Sequence, residues 1–149
     1  MLDYNWVNER LAVGGEVNGR EEMDALKKEG VTHVINLQAE SPPIEGSEGT
    51  DGIEVLWLPI YDDFLPKPPD VFKRGVEFTL AALSRPGTKV LVHCAAGIHR
   101  GPMMIYAILR ALGLSGTQAQ EIIKKARPQA DFPQVYVESV EDFIRDRST

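Results

Sequence analysis

Hydrophobic positions along this chain fall into short unbroken runs that alternate with longer stretches in which apolar residues recur three and four apart. The runs Leu11–Val13, Val31–Leu37, Ile53–Leu58 and Val90–His93 predict strands. The first two are separated by a helix-like stretch, Glu21–Glu29, that Gly30 ends. Pro69 opens a second helix carrying Phe72, Val76, Leu80 and Leu83 as a buried stripe, and Arg85-Pro86-Gly87 breaks it. Pro102–Leu109 reads as an apolar helix whose first turn tolerates proline, with Gly113 as its cap. Either Ser115 with Gln118 or Thr117 with Gln120 can form a capping box for a helix ending before Pro128. A last helix is predicted from near Gln134 to Arg145, burying Val137, Val140, Phe143 and Ile144, whereas Ser41–Gly52, rich in proline, glycine and acid, predicts a loop. This alternation predicts an α/β fold with a central, mostly parallel sheet of four to five strands flanked by helices.

Composition narrows the picture. With 149 residues, 43% of them hydrophobic, the chain is expected to form one domain, 1–149, around a single core. Its apolar stretches are too short to span a bilayer, and Met1-Leu2-Asp3-Tyr4-Asn5 lacks the basic and apolar regions of a signal peptide. A lone cysteine forms no intrachain disulfide, which favours a reducing, cytoplasmic setting. A net charge of −6 argues against nucleic-acid or membrane-surface partners, since those need contiguous positive patches. Charge pairs such as Glu21-Glu22 and Lys27-Lys28 read as solvated helix faces. An anionic substrate must therefore be gripped locally.

The place for that grip is the segment from Val90 to Pro102, where an apolar strand delivers Cys94 onto a small-residue loop that ends in Arg100 and enters a helix. The first amides of a helix lack intrahelical acceptors and carry the positive end of the macrodipole. Amides of Ala95, Ala96, Gly97, Ile98 and His99 can curl around a phosphate-like anion, and Arg100 can add a planar two-pronged contact. The same field favours the thiolate of Cys94 over the thiol. Arg100 and the helix N-terminus are the expected sources of positive charge, with His93 or His99 as a further one; His99 can equally well face solvent. His33, inside a strand pattern, reads as a satisfied structural residue.

His93-Cys94-x5-Arg100 resembles the signature loop of the cysteine-based protein tyrosine phosphatase superfamily, in particular its small dual-specificity branch. The likeness runs from about Trp6 to Phe143: Leu11-Ala12-Val13-Gly14-Gly15 and Gly30 to Leu37 resemble the family's opening strands, and Ala126-Arg127-Pro128 resembles the end of a helix after the signature helix. The resemblance implies a phosphomonoester hydrolase that works through a phosphocysteine without metal or cofactor, on a phosphorylated protein or a small phosphomonoester; separately, a monomer is expected. It implies that His93 holds Cys94 and raises its thiolate fraction.

Expelling an alkoxide or phenoxide calls for a general acid across from the thiolate. Two carboxylates, Asp62 and Asp63, follow the strand Val55–Leu58. The family places its acid after Pro-x-x, which Pro59-Ile60-Tyr61-Asp62 matches 32 residues before Cys94, so Asp62 is the first choice and Asp63 the alternative or an orienting group. Gly101 departs from the pattern, because most relatives carry a serine or threonine hydroxyl there that assists phosphoenzyme hydrolysis. Sulfur transfer on a rhodanese-like loop is disfavoured by the five intervening residues and the upstream aspartate. A non-protein phosphate ester (inositol phosphate, nucleotide or glycan phosphate) and a phosphate-binding pseudoenzyme are the remaining alternatives. The former is weakened by the lack of lysine in Ala95-Ala96-Gly97-Ile98, and the latter is kept open by Gly101.

Overall fold

The computed structural model describes residues 1–42 and 52–147. Ten elements follow in order: β1 (Tyr4–Trp6), β2 (Leu11–Gly14), α1 (Gly19–Lys28), β3 (His33–Gln38), β4 (Glu54–Ile60), α2 (Pro69–Leu83), β5 (Val90–His93), α3 (Arg100–Ala111), α4 (Gly116–Ala126) and α5 (Gln134–Arg147). The five strands form one sheet in the order β1-β2-β5-β3-β4. Only β1 runs antiparallel, pairing Tyr4 with Gly14 and Trp6 with Ala12, while β2, β5, β3 and β4 are parallel.

Of the strands predicted from unbroken apolar runs, β2, β3 and β5 are buried on both faces, whereas β4, at the sheet edge, is only partly buried and exposes Glu54 and Pro59. In β5, Val90 and Val92 join the larger core with Leu11, Val13, Ile35 and Leu37, whereas Leu91 joins Ala12 and Val34 in a smaller core. Helix α1 covers the smaller core with Met23 and Leu26. The larger core is covered by α2 through α5, with Phe72, Val76, Tyr136, Val140 and Phe143 packed against the almost wholly buried α3. Such two-sided cover is what lets a parallel sheet exist, because its crossover helices must lie on its faces.

The predicted elements hold, with shifts at their ends. Helix α1 starts two residues before the expected Glu21, and β4 extends to Ile60. Ser115 and Gln118 form the capping box of α4, so that register, and not Thr117 with Gln120, is the real one. Helix α5 runs on to Arg147 and buries Val140 and Phe143, while Val137 and Ile144 are only partly covered. Strand β1 was not foreseen: three residues with a polar centre carry too little alternation to register as a strand. Most of the expected Ser41–Gly52 loop lies outside the described residues. No helix among those described is long and apolar enough to cross a membrane.

Central β5 lies between β2 and β3, and its C-terminal end opens onto the loop 94–99 and the start of α3. Parallel α/β sheets bind ligands beyond the carboxyl ends of their strands, at the point where strand order reverses. The fold therefore sets the cysteine loop at the place where such sheets hold ligands.

Candidate active site

Cys94 leaves β5 with its amide bonded to the Gly14 carbonyl at 3.2 Å, and its free thiol is buried. The Gly101 amide, at the first turn of α3, points at Sγ from 3.3 Å. A Cβ on Gly101 would lie 3.1 Å from Val13 Cγ2 and 3.5 Å from Cys94 Sγ, so the missing side chain permits close contact between α3, β2 and the sulfur. With the hydroxyl absent, the donor that residue 101 offers the sulfur is its backbone amide.

Arg100 is 4% exposed and its guanidinium is held at one end. Nη1 donates to Glu40 Oε1 (2.7 Å), to the Ile60 carbonyl (2.8 Å) and, more weakly, to the Leu37 carbonyl (3.4 Å), and Nη2 donates to Glu40 Oε2 (2.7 Å). Nε is buried and meets no acceptor among the described residues. A guanidinium has five N–H bonds in a fixed plane, so the Nε–H and the second Nη2–H make a free two-pronged edge suited to two oxygens of a phosphate. The arginine in turn holds the Glu40 carboxyl far below the ordinary carboxylate range, at about 2. Sequence reading missed Glu40, because nothing local marks an acid sixty residues upstream as the partner of Arg100.

Arg127, just after α4, is another unforeseen contributor and is fully buried. Nε donates to the Gly97 carbonyl at 2.8 Å, and Nη2 donates to the Ala96 carbonyl at 3.1 Å. Its far side is fastened to Asp3 and Asn5, at 2.8 Å for the shortest Asp3 contact and 2.9 Å for Asn5. Two carbonyls of the cysteine loop are thereby turned toward Arg127, which leaves the loop amides facing the other way. Gly97 has φ of 69°, and a Cβ there would meet Arg127 Nη2 at 2.6 Å and the Gly14 carbonyl carbon at 2.7 Å. The predicted anion cradle, Ala95 to Arg100, is thus braced from behind.

The two predicted carboxylates part company. Asp62 accepts from the Tyr136 hydroxyl at 2.8 Å on Oδ1 and lies 2.8 Å from His99 Nδ1 on Oδ2, close enough for its charge to act on Arg100. Asp63 instead pairs with Lys67 and accepts from the Leu65 amide at 3.1 Å, an attachment that pulls its pKa down. The geometry brings Asp62 to the cradle and ties Asp63 to its own loop. Tyr136, from α5, is raised to about 12, mainly by burial, so it serves as a hydroxyl donor.

His93 requires a correction. Both ring nitrogens lack a hydrogen-bond partner among the described residues, and burial lowers the pKa to about 4 despite the opposing pull of the Cys94 backbone. At neutral pH the ring is uncharged and cannot add to the positive field expected of it. His33, by contrast, is satisfied as predicted, by Thr32 Oγ1 at 2.7 Å and Arg85 at 2.9 Å.

A cysteine thiol at the end of a central parallel strand, with an arginine edge left open for oxyanions, places the molecule among proteins of the cysteine-based phosphatase class. Comparison narrows this to one family: residues 14–144 match the dual specificity phosphatase catalytic domain, and the chain belongs to that family. Among curated relatives it is 34% identical over 110 residues to human dual specificity protein phosphatase 26, covering 72% of this chain and 50% of that one. It is 31% identical over 109 residues to human protein tyrosine phosphatase type IVA 3, covering 70% and 60%. The chain thus spans about half the length of the first relative. Solved structures with the same fold include PTPMT1 in complex with PI(5)P, with a TM-score of 0.85 at 24% identity over 98% of this chain and 99% of that one. Human DUSP28 superposes with a TM-score of 0.81 at 23% identity, covering 99% and 98%.

Proposed function

We propose that this chain is a metal-independent phosphomonoester hydrolase that acts on phosphorylated proteins through a phosphocysteine. The observation that carries the reading is the unpartnered Nε edge of buried Arg100 beside the Cys94 thiol. Cys94 Sγ attacks phosphorus from within the cradle. The bond from phosphorus to the leaving oxygen breaks, its electron pair stays on that oxygen, and Asp62 supplies the proton. Arg100 and the loop amides hold the equatorial oxygens throughout, the preorganised electrostatic support that phosphoryl transfer needs most. Asp62 then takes a proton from water as that water attacks the phosphocysteine, and the Gly101 amide receives the departing sulfur.

A protein substrate is favoured over a polyphosphorylated small molecule by the carboxylates beside the cysteine loop: Asp62 and Asp131 flank His99, and their charge disfavours ligands bearing several phosphates. Exposed Tyr61, Phe64 and Leu65 on the acid loop give a polypeptide apolar surface to lie against. The reading includes a monomer in a reducing, cytoplasmic setting, which suits a free buried cysteine.

The test is nitrophenyl phosphate hydrolysis by wild type and Cys94→Ser with chelator present, followed by phosphopeptides and phosphoinositides compared side by side. Vanadate-sensitive turnover that is abolished by the serine change and fastest on phosphopeptides is expected. Phosphate binding without turnover makes the chain a pseudophosphatase, and faster turnover of phosphoinositides overturns the protein substrate.

A further inference from the structure

His99 is the least conventional residue of the cysteine loop in what it touches. Its Nδ1 lies 2.8 Å from Asp62 Oδ2 and its Nε2 lies 3.2 Å from Asp131 Oδ2. Asp131 sits in the connection between α4 and α5, and its own amide donates to the Ile98 carbonyl at 2.8 Å. One imidazole thus links three segments far apart in sequence: the acid loop, the cysteine loop and the α4–α5 connection.

The second oxygen of Asp62 is held as deliberately as the first. Tyr136 donates to Oδ1 at 2.8 Å while its hydroxyl accepts from the Phe64 amide at 3.1 Å. The Phe64 ring then stands edge-on to His99 at 5.1 Å and lies parallel to Tyr136 at 5.9 Å. Phe64 holds this place with φ of 57°, a left-handed conformation unusual for a bulky residue and adopted only when the surroundings impose it. Both residues that hold Asp62 are therefore packed against one strained aromatic wedge.

We propose that His99 is a positioning residue for the general acid, itself positioned by Asp131, so that Asp131–His99–Asp62 forms a relay across the mouth. The proposal rests on Asp62 being the acid. Each oxygen of Asp62 has a neighbour to hold it, Oδ1 the Tyr136 O–H and Oδ2 the His99 Nδ1–H, and the proton that Asp62 delivers is a further one carried by its own carboxyl. In the forward step the proton carried by the Asp62 carboxyl passes to the departing oxygen as the phosphorus–oxygen bond breaks, while the Nδ1–H stays on His99. The carboxylate left behind is then held by His99 N–H and Tyr136 O–H, aimed at the space where water must enter. The charged and titratable groups around His99 are Asp62 from the acid loop, Asp131 from the α4–α5 connection and Arg100 next in the chain, with Tyr136 of α5 acting through Asp62.

The test compares a series of aryl phosphates of graded leaving-group ability, plus an alkyl phosphate, across His99→Ala, Asp131→Asn, their double variant and Asp62→Asn. A positioned acid contributes most where the leaving group is poor, so His99→Ala is expected to lose roughly tenfold in kcat on the alkyl ester and less than about threefold on nitrophenyl phosphate. KM stays nearly constant and the leaving-group dependence steepens. Asp131→Asn moves the same way by less, and the double variant is no worse than His99→Ala, because both changes cut one chain. Added imidazole restores part of the alkyl-ester rate to His99→Gly. Equal losses on every leaving group, or a fully additive double variant, overturn the relay. If Asp62→Asn shows the leaving-group signature and His99→Ala does not, the relay alone fails; if Asp62→Asn lacks it too, the acid assignment fails first.

Discussion

Glu40 spends a carboxylate on the one side chain that must attract an anion, which on charge alone works against phosphate binding. Its gain is orientation: two parallel bonds of 2.7 Å fix the guanidinium plane and leave Nε without a partner among the described residues. Replacing Glu40 with Gln removes the opposing charge while loosening the plane. Because the freed cation still attracts phosphate but no longer aligns with it, KM should change little and kcat should fall roughly tenfold, about 1.4 kcal/mol of transition-state stabilisation. Steady-state kinetics on nitrophenyl phosphate measure both terms. The same residues leave a record in acid. His93 has its pKa lowered from 6.5 to about 4, so the unfolded chain takes up a proton first, and stability that is full above 6.5 is lost as pH falls towards 4. Buried His33 is shifted in the same direction and adds to that window. Glu40 moves from 4.5 down to about 2, so its contribution is present above 4.5 and disappears as pH falls through 2. Melting temperatures recorded from pH 7 to pH 2 should show two successive losses, the first flattened in His93→Asn and the second in Glu40→Gln.

At the level of elements, the cradle is a short loop forced into shape by a helix end it does not belong to. Arg127 captures the Ala96 and Gly97 carbonyls only because Gly97 adopts φ of 69° and carries no Cβ. Gly97→Ala puts a methyl 2.6 Å from Arg127 Nη2, and either the arginine or the loop must give way. Since a misplacement of about 1 Å can cost on the order of a hundredfold in rate, that loss of kcat/KM is expected, alongside circular dichroism that still reports the native helix content. Strands and helices were legible in the sequence where burial imposes periodicity: β2, β3, β5 and the stripe of α2 all announce themselves. Cys94 and Arg100 were legible because they stand at a fixed spacing between a strand and a helix, whereas Asp62 was preferred to Asp63 only through the family resemblance. Glu40, Arg127, Tyr136 and Asp131 were not, since each reaches the site through tertiary contact across many residues and no local rule ties them to it. Strand β1 escaped for a related reason: its identity comes from pairing with β2 and from the Asp3 and Asn5 anchors to Arg127, not from its own pattern.

For the whole molecule, the consequence of a braced cradle is that anion binding and global stability are coupled. The loop is tied to Asn5 of β1 through Arg127, to β3 through Glu40 beyond its end, to β4 through the Ile60 carbonyl and to α5 through Asp62 and Tyr136. Unfolding any of these segments dismantles the site, so an oxyanion that binds the native state and not the unfolded chain must stabilise all of them together. At a ligand concentration 100 times Kd the linkage is worth ~2.7 kcal/mol. For a chain of this size that corresponds to a rise of roughly 5–11 °C in Tm. Vanadate or phosphate added to Cys94→Ser, which has no nucleophilic thiolate but keeps the Arg100 edge, should raise Tm by that order in a single cooperative transition. Arg100→Ala should abolish the rise, and Arg127→Ala should reduce it even though Arg127 donates to loop carbonyls and not to the anion. A rise in wild type that survives in Arg100→Ala would mean that anions act elsewhere on the surface. A rise unaffected by Arg127→Ala would mean that the cradle holds its shape without the brace from behind.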